Sequence, residues 1–291
     1  MSKDILVVKK LTKYYGATKG VENLSFSLQE GEILGFIGPN GAGKSTTIRS
    51  IMNLVNKTKG EVLVYNRPLT KDNVKLKAII GYLPSEIHLY EDLLVKEMLD
   101  YHESFFTKDI HKRREELVQR LKIDETKKIG DLSLGNLKKV GIVLAFMHEP
   151  KIIILDEPTS GLDPMMQNVF YELMKEEKKK GTSIFYSTHI LSEVSKVCDR
   201  VGILKDGNLL KIEDVKELSN KNLTLVTIVS NEIDRIVQQL AIDVLLQEKD
   251  RIQFKNTMTP NELLRKLSKY NIDKILIEEA SLEDIFLHYY E

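Results

Sequence analysis

At 291 residues, with 43 Lys and Arg against 43 Asp and Glu, the chain is formally neutral and long enough for one large α/β domain plus a smaller one. The balance excludes the electrostatic footprint of a nucleic-acid binder, and the single cysteine, Cys198, excludes an intramolecular disulfide or a cysteine zinc cluster and fits a reducing cytosol. No run approaches about 20 uncharged apolar residues, and MSKDILVV has no cleavable apolar leader, so neither a membrane span nor a signal peptide is expected.

In chain order, ILVVKKL and VENLSFSL read as strands on either side of the polar turn YGATKG. The apolar run EILGFIG ends in glycine, and KSTTIRSIMNLV then places Ile48, Ile51, Met52 and Val55 at helical spacing. From about residue 90 to 148 the chain turns to charged helix formers with no strand between them, a predicted helical insert. Helical VGIVLAFMHE leads to Pro150 and strand KIIILD. Helix MMQNVFYELMKEEKKK stops at Gly181, a glycine after lysines that suit the helix dipole. Strand SIFYST, helix LSEVSKVC with Cys198 as apolar filler, and a hairpin turning at Asp206-Gly207 complete a first domain ending near residue 215. Residues 216–291 alternate strands and helices anew, a small α+β domain. The clusters Lys112-Arg113-Arg114 and Lys178-Lys179-Lys180 sit among acids and are expected to be solvated helix faces.

Four stretches carry chemistry. GPNGAGKS, running Gly38, Pro39, Asn40, Gly41, Ala42, Gly43, Lys44, Ser45, fits the phosphate-loop pattern between a predicted strand and helix, with Thr46 next in line. Its glycines let backbone N–H groups converge on phosphate oxygens, Lys44 adds a point charge and Ser45 offers an oxygen to Mg²⁺. IIILDEP is a buried strand ending in two acids; Asp156 suits a metal and Glu157 suits an attacking water. His189, after FYST, is predicted at the end of a neighbouring strand, in reach of a terminal phosphate. In DLSLGNLKK, Ser133 is a helix cap, Gly135 permits close backbone approach, and Lys138-Lys139 oppose the helix dipole unless an anion is near.

Together these motifs resemble the ATP-binding subunits of ABC transporters over residues 1 to about 215: KYYG, GPNGAGKS as Walker A, LSLGN as the signature, ILDE as Walker B, SGLD at Ser160–Asp163 as the D-loop and His189 as the switch histidine. The resemblance implies a P-loop ABC-type ATPase domain with a helical subdomain, ATP and Mg²⁺ as ligands, and Tyr15, with Tyr14 as its rival, stacking on adenine. It implies that Lys44, Glu157 and His189 serve catalysis, that Ser45 and Asp156 serve the metal, and that Ser133 and Gly135 contact the nucleotide of a second subunit, in a homodimer or a related heterodimer. It also implies a separate transmembrane permease, docking near residues 81–92, which holds the chain at the cytoplasmic face of the membrane. Leu134 and Asn136 replace the first glycine and the glutamine of LSGGQ, and Ser85 stands where glutamine or glutamate is usual, which predicts slow or partner-dependent hydrolysis. The ending ASLEDIFLHYY is similar to that of subunits serving exporters of antibiotics and peptides. Two alternatives are a soluble ABC ATPase acting on ribosomes or DNA, and a weakly catalytic regulatory subunit.

Overall fold

The structure is a computed structural model that describes residues 3–220, 224–240, 242–256 and 258–279. The closing motif ASLEDIFLHYY lies outside the described residues. The chain divides into two compact units, residues 1–215 and 216–291.

The first unit runs β1 (Asp4–Tyr15), β2 (Thr18–Gln29), β3 (Ile33–Ile37), α1 (Lys44–Ile51), β4 (Lys59–Val64), β5 (Arg67–Pro68), α2 (Val74–Lys77), β6 (Ile80–Leu83) and α3 (Val95–Glu103). It continues through α4 (His111–Leu121), α5 (Leu134–Phe146), β7 (Ile152–Asp156), α6 (Pro164–Lys179), β8 (Ser183–Thr188), α7 (Leu191–Val197), β9 (Arg200–Lys205) and β10 (Asn208–Asp214). An antiparallel sheet has the order β2-β1-β4-β5, and a six-stranded sheet the order β10-β9-β3-β8-β7-β6, parallel except for the edge strand β10. Every residue of β3, β7 and β8 is buried, as expected of parallel strands covered on both faces. Phe26 of β2, Phe36 of β3 and Phe185 of β8 bring aromatic rings from the two sheets together, with centroids 4.7 Å (Phe26–Phe36) and 4.8 Å (Phe36–Phe185) apart.

The register places the future site. Ile37 lies beside Thr188, and Ser187 beside Asp156, so the carboxyl ends of β3, β8 and β7 finish level at one sheet edge. In parallel α/β sheets that edge is where ligands bind.

The turn between β9 and β10 puts Asp206 and Gly207 both at positive φ, 48° and 75°, which the twist of a two-residue hairpin requires. Lys112 and the lysines at 178–180 lie on exposed or half-exposed faces as expected, but Arg113 and Arg114 do not. Arg113 and Arg114 of α4 are buried: Arg113 pairs with Glu177 of α6 at 2.5 Å, and Arg114 with Asp100, Glu103 and Glu125. Lys178 pairs with Asp199 and Lys180 with Glu177. Opposite charges brought in from separate elements offset the lost hydration, and removing one member of such a buried pair costs about 3–5 kcal/mol.

Helix α8 (Val215–Asn220) carries the chain into the second unit, which runs β11 (Thr224–Val229), α9 (Ile233–Leu240), β12 (Asp243–Gln247), β13 (Arg251–Asn256), α10 (Pro260–Leu267) and β14 (Lys274–Glu279). Its antiparallel sheet has the order β12-β13-β11-β14. Ile233, Ile236, Leu263 and Leu267 of the two helices pack on Val226, Ile228, Ile252 and Phe254 of the strands.

Candidate nucleotide site

Between β3 and α1 the chain makes a loop that only glycine-rich sequence can follow. Gly41 and Gly43 have φ of 83° and 103°, and a Cβ on Gly43 would stand 2.5 Å from Val21 and 2.9 Å from the Gly20 carbonyl. Gly38 is buried under the Leu204 carbonyl, Pro39, Asn40 and Gly41 are exposed, and Ala42 is buried as the loop's hydrophobic pin. Helix α1 starts from Gly43 with no side-chain cap and no acid in its first turn, so the leading N–H groups, those of Ser45 and Thr46 among them, are left for an anion. Lys44 is buried across the loop; its Nζ donates to the carbonyls of Gly38 at 2.8 Å and Pro39 at 3.3 Å.

The acids arrive from β7. Asp156 is fully buried, and its Oδ1 accepts from Ser45 Oγ at 3.1 Å and Ser187 Oγ at 2.7 Å. Its Oδ2 is buried without a partner, which is costly for a carboxylate oxygen unless a cation completes it. Burial, reinforced by the Asp156 charge, pushes the nearby Tyr82 hydroxyl up to about 12. Glu157 sits at φ 47°, a left-handed conformation costing about 1–2 kcal/mol for a residue with a Cβ, and its N–H donates to the Ser187 carbonyl at 3.1 Å. That turn sends the Glu157 carboxylate to the loop: Oε1 is 3.4 Å from Lys44 Nζ and 3.3 Å from His189 Nδ1. Lys44, Ser45, Asp156, Glu157 and His189, drawn from three separate stretches of sequence, thus meet at one edge.

Ser133 and Gly135 do not join them. Ser133 is a helix cap whose Oγ accepts from the Asn136 N–H at 3.4 Å, and Leu134 beside it is 61% exposed. Among the described residues no hydrogen bond or ion pair links this helix start to the loop at 38–45. Its neighbour is Gly161: a Cβ on Gly135 would lie 2.6 Å from the Gly161 carbonyl, so this glycine is needed for an approach within the chain as well.

Comparison with known proteins decides the family. The ABC transporter family model matches residues 21–160. The bacitracin transport ATP-binding protein BcrA of Bacillus licheniformis is 33% identical over 299 aligned positions, which cover 97% of this chain and 96% of that protein. The chain belongs to the ABC transporter ATP-binding proteins. The linearmycin resistance ATP-binding protein LnrL of Bacillus subtilis (strain 168) is 35% identical over 222 positions, covering 75% of this chain and 71% of LnrL. Among solved structures, an ATP-binding subunit of an ABC transporter aligns with a TM-score of 0.68 at 30% identity, covering 81% of this chain and 93% of that one. The ABC cassette MJ0796, solved as a dimer, aligns with a TM-score of 0.66 at 26% identity, covering 72% and 98%.

With the fold of an ABC ATPase in hand, the two tyrosines separate. The Tyr14 hydroxyl donates to Glu22 at 2.9 Å, whereas Tyr15 is 45% exposed with its ring centroid 4.6 Å from Lys13 Nζ. Tyr15 is therefore the more exposed of the two rings.

Two groups of residues belong to this region without a motif to announce them. Glu193, buried on α7, accepts at Oε1 from Thr159 (2.6 Å) and Tyr171 (3.0 Å), and at Oε2 from Thr188 (2.6 Å) and Tyr186. One carboxylate thus holds the segment leaving Glu157 and the segment entering His189. Burial, with the Glu193 charge added to it, pushes the Tyr171 and Tyr186 hydroxyls upward. An acid in the otherwise apolar stripe of LSEVSKVC is the available signal.

The second is an apolar groove of about 560 Å³ between the segment after β6 and helices α3 and α5, lined by Tyr82, Ile87, Met98, His102, Phe106 and His148 among others. Phe106 stacks on His148 at 4.7 Å, and His102 Nε2 and His148 Nδ1 are both buried without partners. Burial, aided by His102, pushes His148 down to about 4.

Proposed function

We propose that this chain is the Mg²⁺-dependent ATPase subunit of an exporter, acting as a dimer on a separate membrane permease. The observation that carries the reading is the partnerless, buried Oδ2 of Asp156 beside Ser45, at the edge where Lys44, Glu157 and His189 converge. Among the described residues no cluster of three or more His, Cys, Asp or Glu could hold a metal. Ser45 and Asp156 instead offer two hard oxygens, the donor set of an ion that takes its other ligands from phosphate and water. Mg²⁺ held there would neutralise charge building on the phosphates.

The chain's own groups then have separate tasks. The N–H groups of residues 41–46 and Lys44 bind the phosphates, and Tyr15 stacks on adenine. Glu157 Oε1 takes the proton of the attacking water, and His189 fixes that carboxylate through Nδ1, which leaves its other nitrogen for the terminal phosphate. Ser133 and Gly135 serve the nucleotide of a second subunit, which fits their separation from the chain's own loop and the dimer seen for MJ0796. Export is favoured by the relatives named for bacitracin transport and linearmycin resistance.

No helix among the described residues is long and apolar enough to cross a membrane. The apolar groove, bounded by residues from the expected 81–92 stretch, is read as the seat of the permease, which would hold the subunit on the cytoplasmic side. Residues 216–291 are read as an accessory α+β domain. Ser85, Leu134 and Asn136 leave hydrolysis slow until the permease is bound.

The test is Glu157→Gln with and without the co-purified permease. ATP binding should persist, dimers should accumulate with ATP, and turnover should fall about 100-fold or more. Wild-type turnover in this variant would refute the assignment. Affinity purification from detergent-solubilised membranes should bring down a permease; ribosomal or DNA-repair proteins in its place would refute the exporter.

A further inference from the structure

Among the described residues four cationic side chains are buried: Lys44, Arg113, Arg114 and Lys138. Three have a carboxylate partner, Glu157, Glu177 and Asp100 with Glu125 respectively. Lys138, 1% exposed, has no carboxylate of the described residues within ion-pair distance. Its Nζ instead meets three backbone carbonyls, those of Ser85 at 2.8 Å, Pro84 at 3.4 Å and Glu157 at 3.5 Å. An ammonium has three donors, and here each has an acceptor.

A neutral side chain would be the easier occupant of this position, because an ammonium loses its hydration on burial. Burial does pull the Lys138 pKa down, and the nearby charges of Asp156 and Glu157 oppose that pull. What the lysine adds over a neutral residue is a tie joining three segments at one nitrogen. Pro84 and Ser85 follow β6, and Pro84 lines the apolar groove. Glu157 follows β7 at positive φ, the turn that aims its carboxylate. Lys138 itself stands on α5, five residues beyond the cap Ser133.

We propose that Lys138 is a positioning residue that pins the Glu157 backbone to the groove segment at Pro84–Ser85 and to α5, so that occupation of the groove and of the α5 start sets the aim of the Glu157 carboxylate. The proposal rests on the reading of Glu157 as the base. It also gives the Ser85 position a part that needs no side chain, since the tie engages only its carbonyl.

The test uses the full chain. In nucleotide-free protein, Lys138→Met should raise amide exchange at residues 85–88 and at 157, 159 and 160 by about tenfold, leaving β3 and β8 at the wild-type rate. With ATP and Mg²⁺, kcat should fall about tenfold while KM stays within about twofold, and Lys138→Gln, which keeps hydrogen-bond donors without the charge, should recover part of both effects. Unaltered exchange in either segment, faster exchange throughout the unit, or faster exchange with an unaltered kcat each overturns the proposal. If Lys138→Met gives no soluble protein, Lys138→Gln against wild type is read by the same criteria. Glu157→Gln run alongside separates the two failures: wild-type turnover there removes the functional reading and this proposal together, whereas unaltered exchange in Lys138→Met removes this proposal alone.

Discussion

The phosphate loop and helix α5 lie in the same unit but are finished to different degrees. Around the loop the polar groups are engaged within the chain: Lys44 on two carbonyls, Ser45 on Asp156, Glu157 on Ser187, with Asp156 Oδ2 left for a cation. Helix α5 presents two unfinished surfaces instead. Its start exposes Leu134 beside the Ser133 cap, and farther along, Gly141 and Leu144 border a groove with two partnerless histidine nitrogens. The loop's polar groups are thus met within the chain, whereas α5 borders apolar surface and imidazole nitrogens that have no partner among the described residues.

The sharpest way to break that contrast is Ser133→Arg. Ser133 makes only a long cap bond, so its loss costs the helix about 1 kcal/mol, a figure Ser133→Ala measures alone. If Ser133 serves a partner's nucleotide, the arginine should lower turnover about 100-fold and abolish ATP-driven dimers on size exclusion, while ATP binding by the isolated subunit stays within about twofold. A matching loss of single-chain binding would place Ser133 in its own cradle and erase the distinction.

The next largest effect tests the finished region from inside. Glu193→Gln replaces one acceptor oxygen with a donor that faces hydroxyls, stranding some of the four that the carboxylate now accepts from Thr159, Tyr171, Tyr186 and Thr188. Leaving buried donors without acceptors should cost about 1–3 kcal/mol in urea unfolding. Because the same carboxylate steadies the segments of Glu157 and His189, kcat should also fall about tenfold with ATP affinity kept. A stability loss with full kcat would reduce Glu193 to a structural role and uncouple its carboxylate from the aim of Glu157 and His189.

The parts of the molecule legible in the sequence are those written locally. GPNGAGKS dictates its own backbone through Gly41 and Gly43, and the apolar runs IIILD and SIFY mark buried strands, so the edge where Lys44, Asp156, Glu157 and His189 meet follows from chain order. Burial of charged residues does not follow. Arg113 and Arg114 share the helical stripe of Leu117, Val118 and Leu121, yet their charge argues for solvent, and only partners brought from other segments, Glu177 and Asp100 for the arginines and the carbonyls of Ser85 and Glu157 for Lys138, make burial possible. For Glu193 the apolar stripe around it hints at burial, but its four hydroxyl partners, on α6, on β8 and in the loop after β7, are not legible from the sequence.

The groove side of α5 is tested by pH. Burial, aided by His102, pushes His148 down to about 4 in the folded protein from about 6.5 unfolded, so between these values the unfolded chain binds the extra proton. Stability should therefore fall as pH drops through 6.5 toward 4, by about 2 kcal/mol between pH 7 and 5. His148→Phe, which preserves the stack on Phe106, should flatten that slope in urea titrations at the two pH values. An unchanged slope would show that the groove already satisfies this imidazole.

The smallest effect is expected at Leu134, where the helix start departs from the family pattern. Its side chain is 61% exposed and reaches toward Gly161, flanked by the Ser133 hydroxyl and the Gly135 backbone. Leu134→Gly keeps both of those groups and removes only apolar surface, so turnover of the permease-bound subunit should change by less than about threefold, in either direction. Loss of that surface should instead register in the concentration of subunit needed for half-maximal ATP-driven dimerisation. A tenfold or larger change in turnover at saturating subunit would mean that the leucine takes part in the partner's site directly, and that the exposed start of α5 is specified by shape as much as by its phosphate donors.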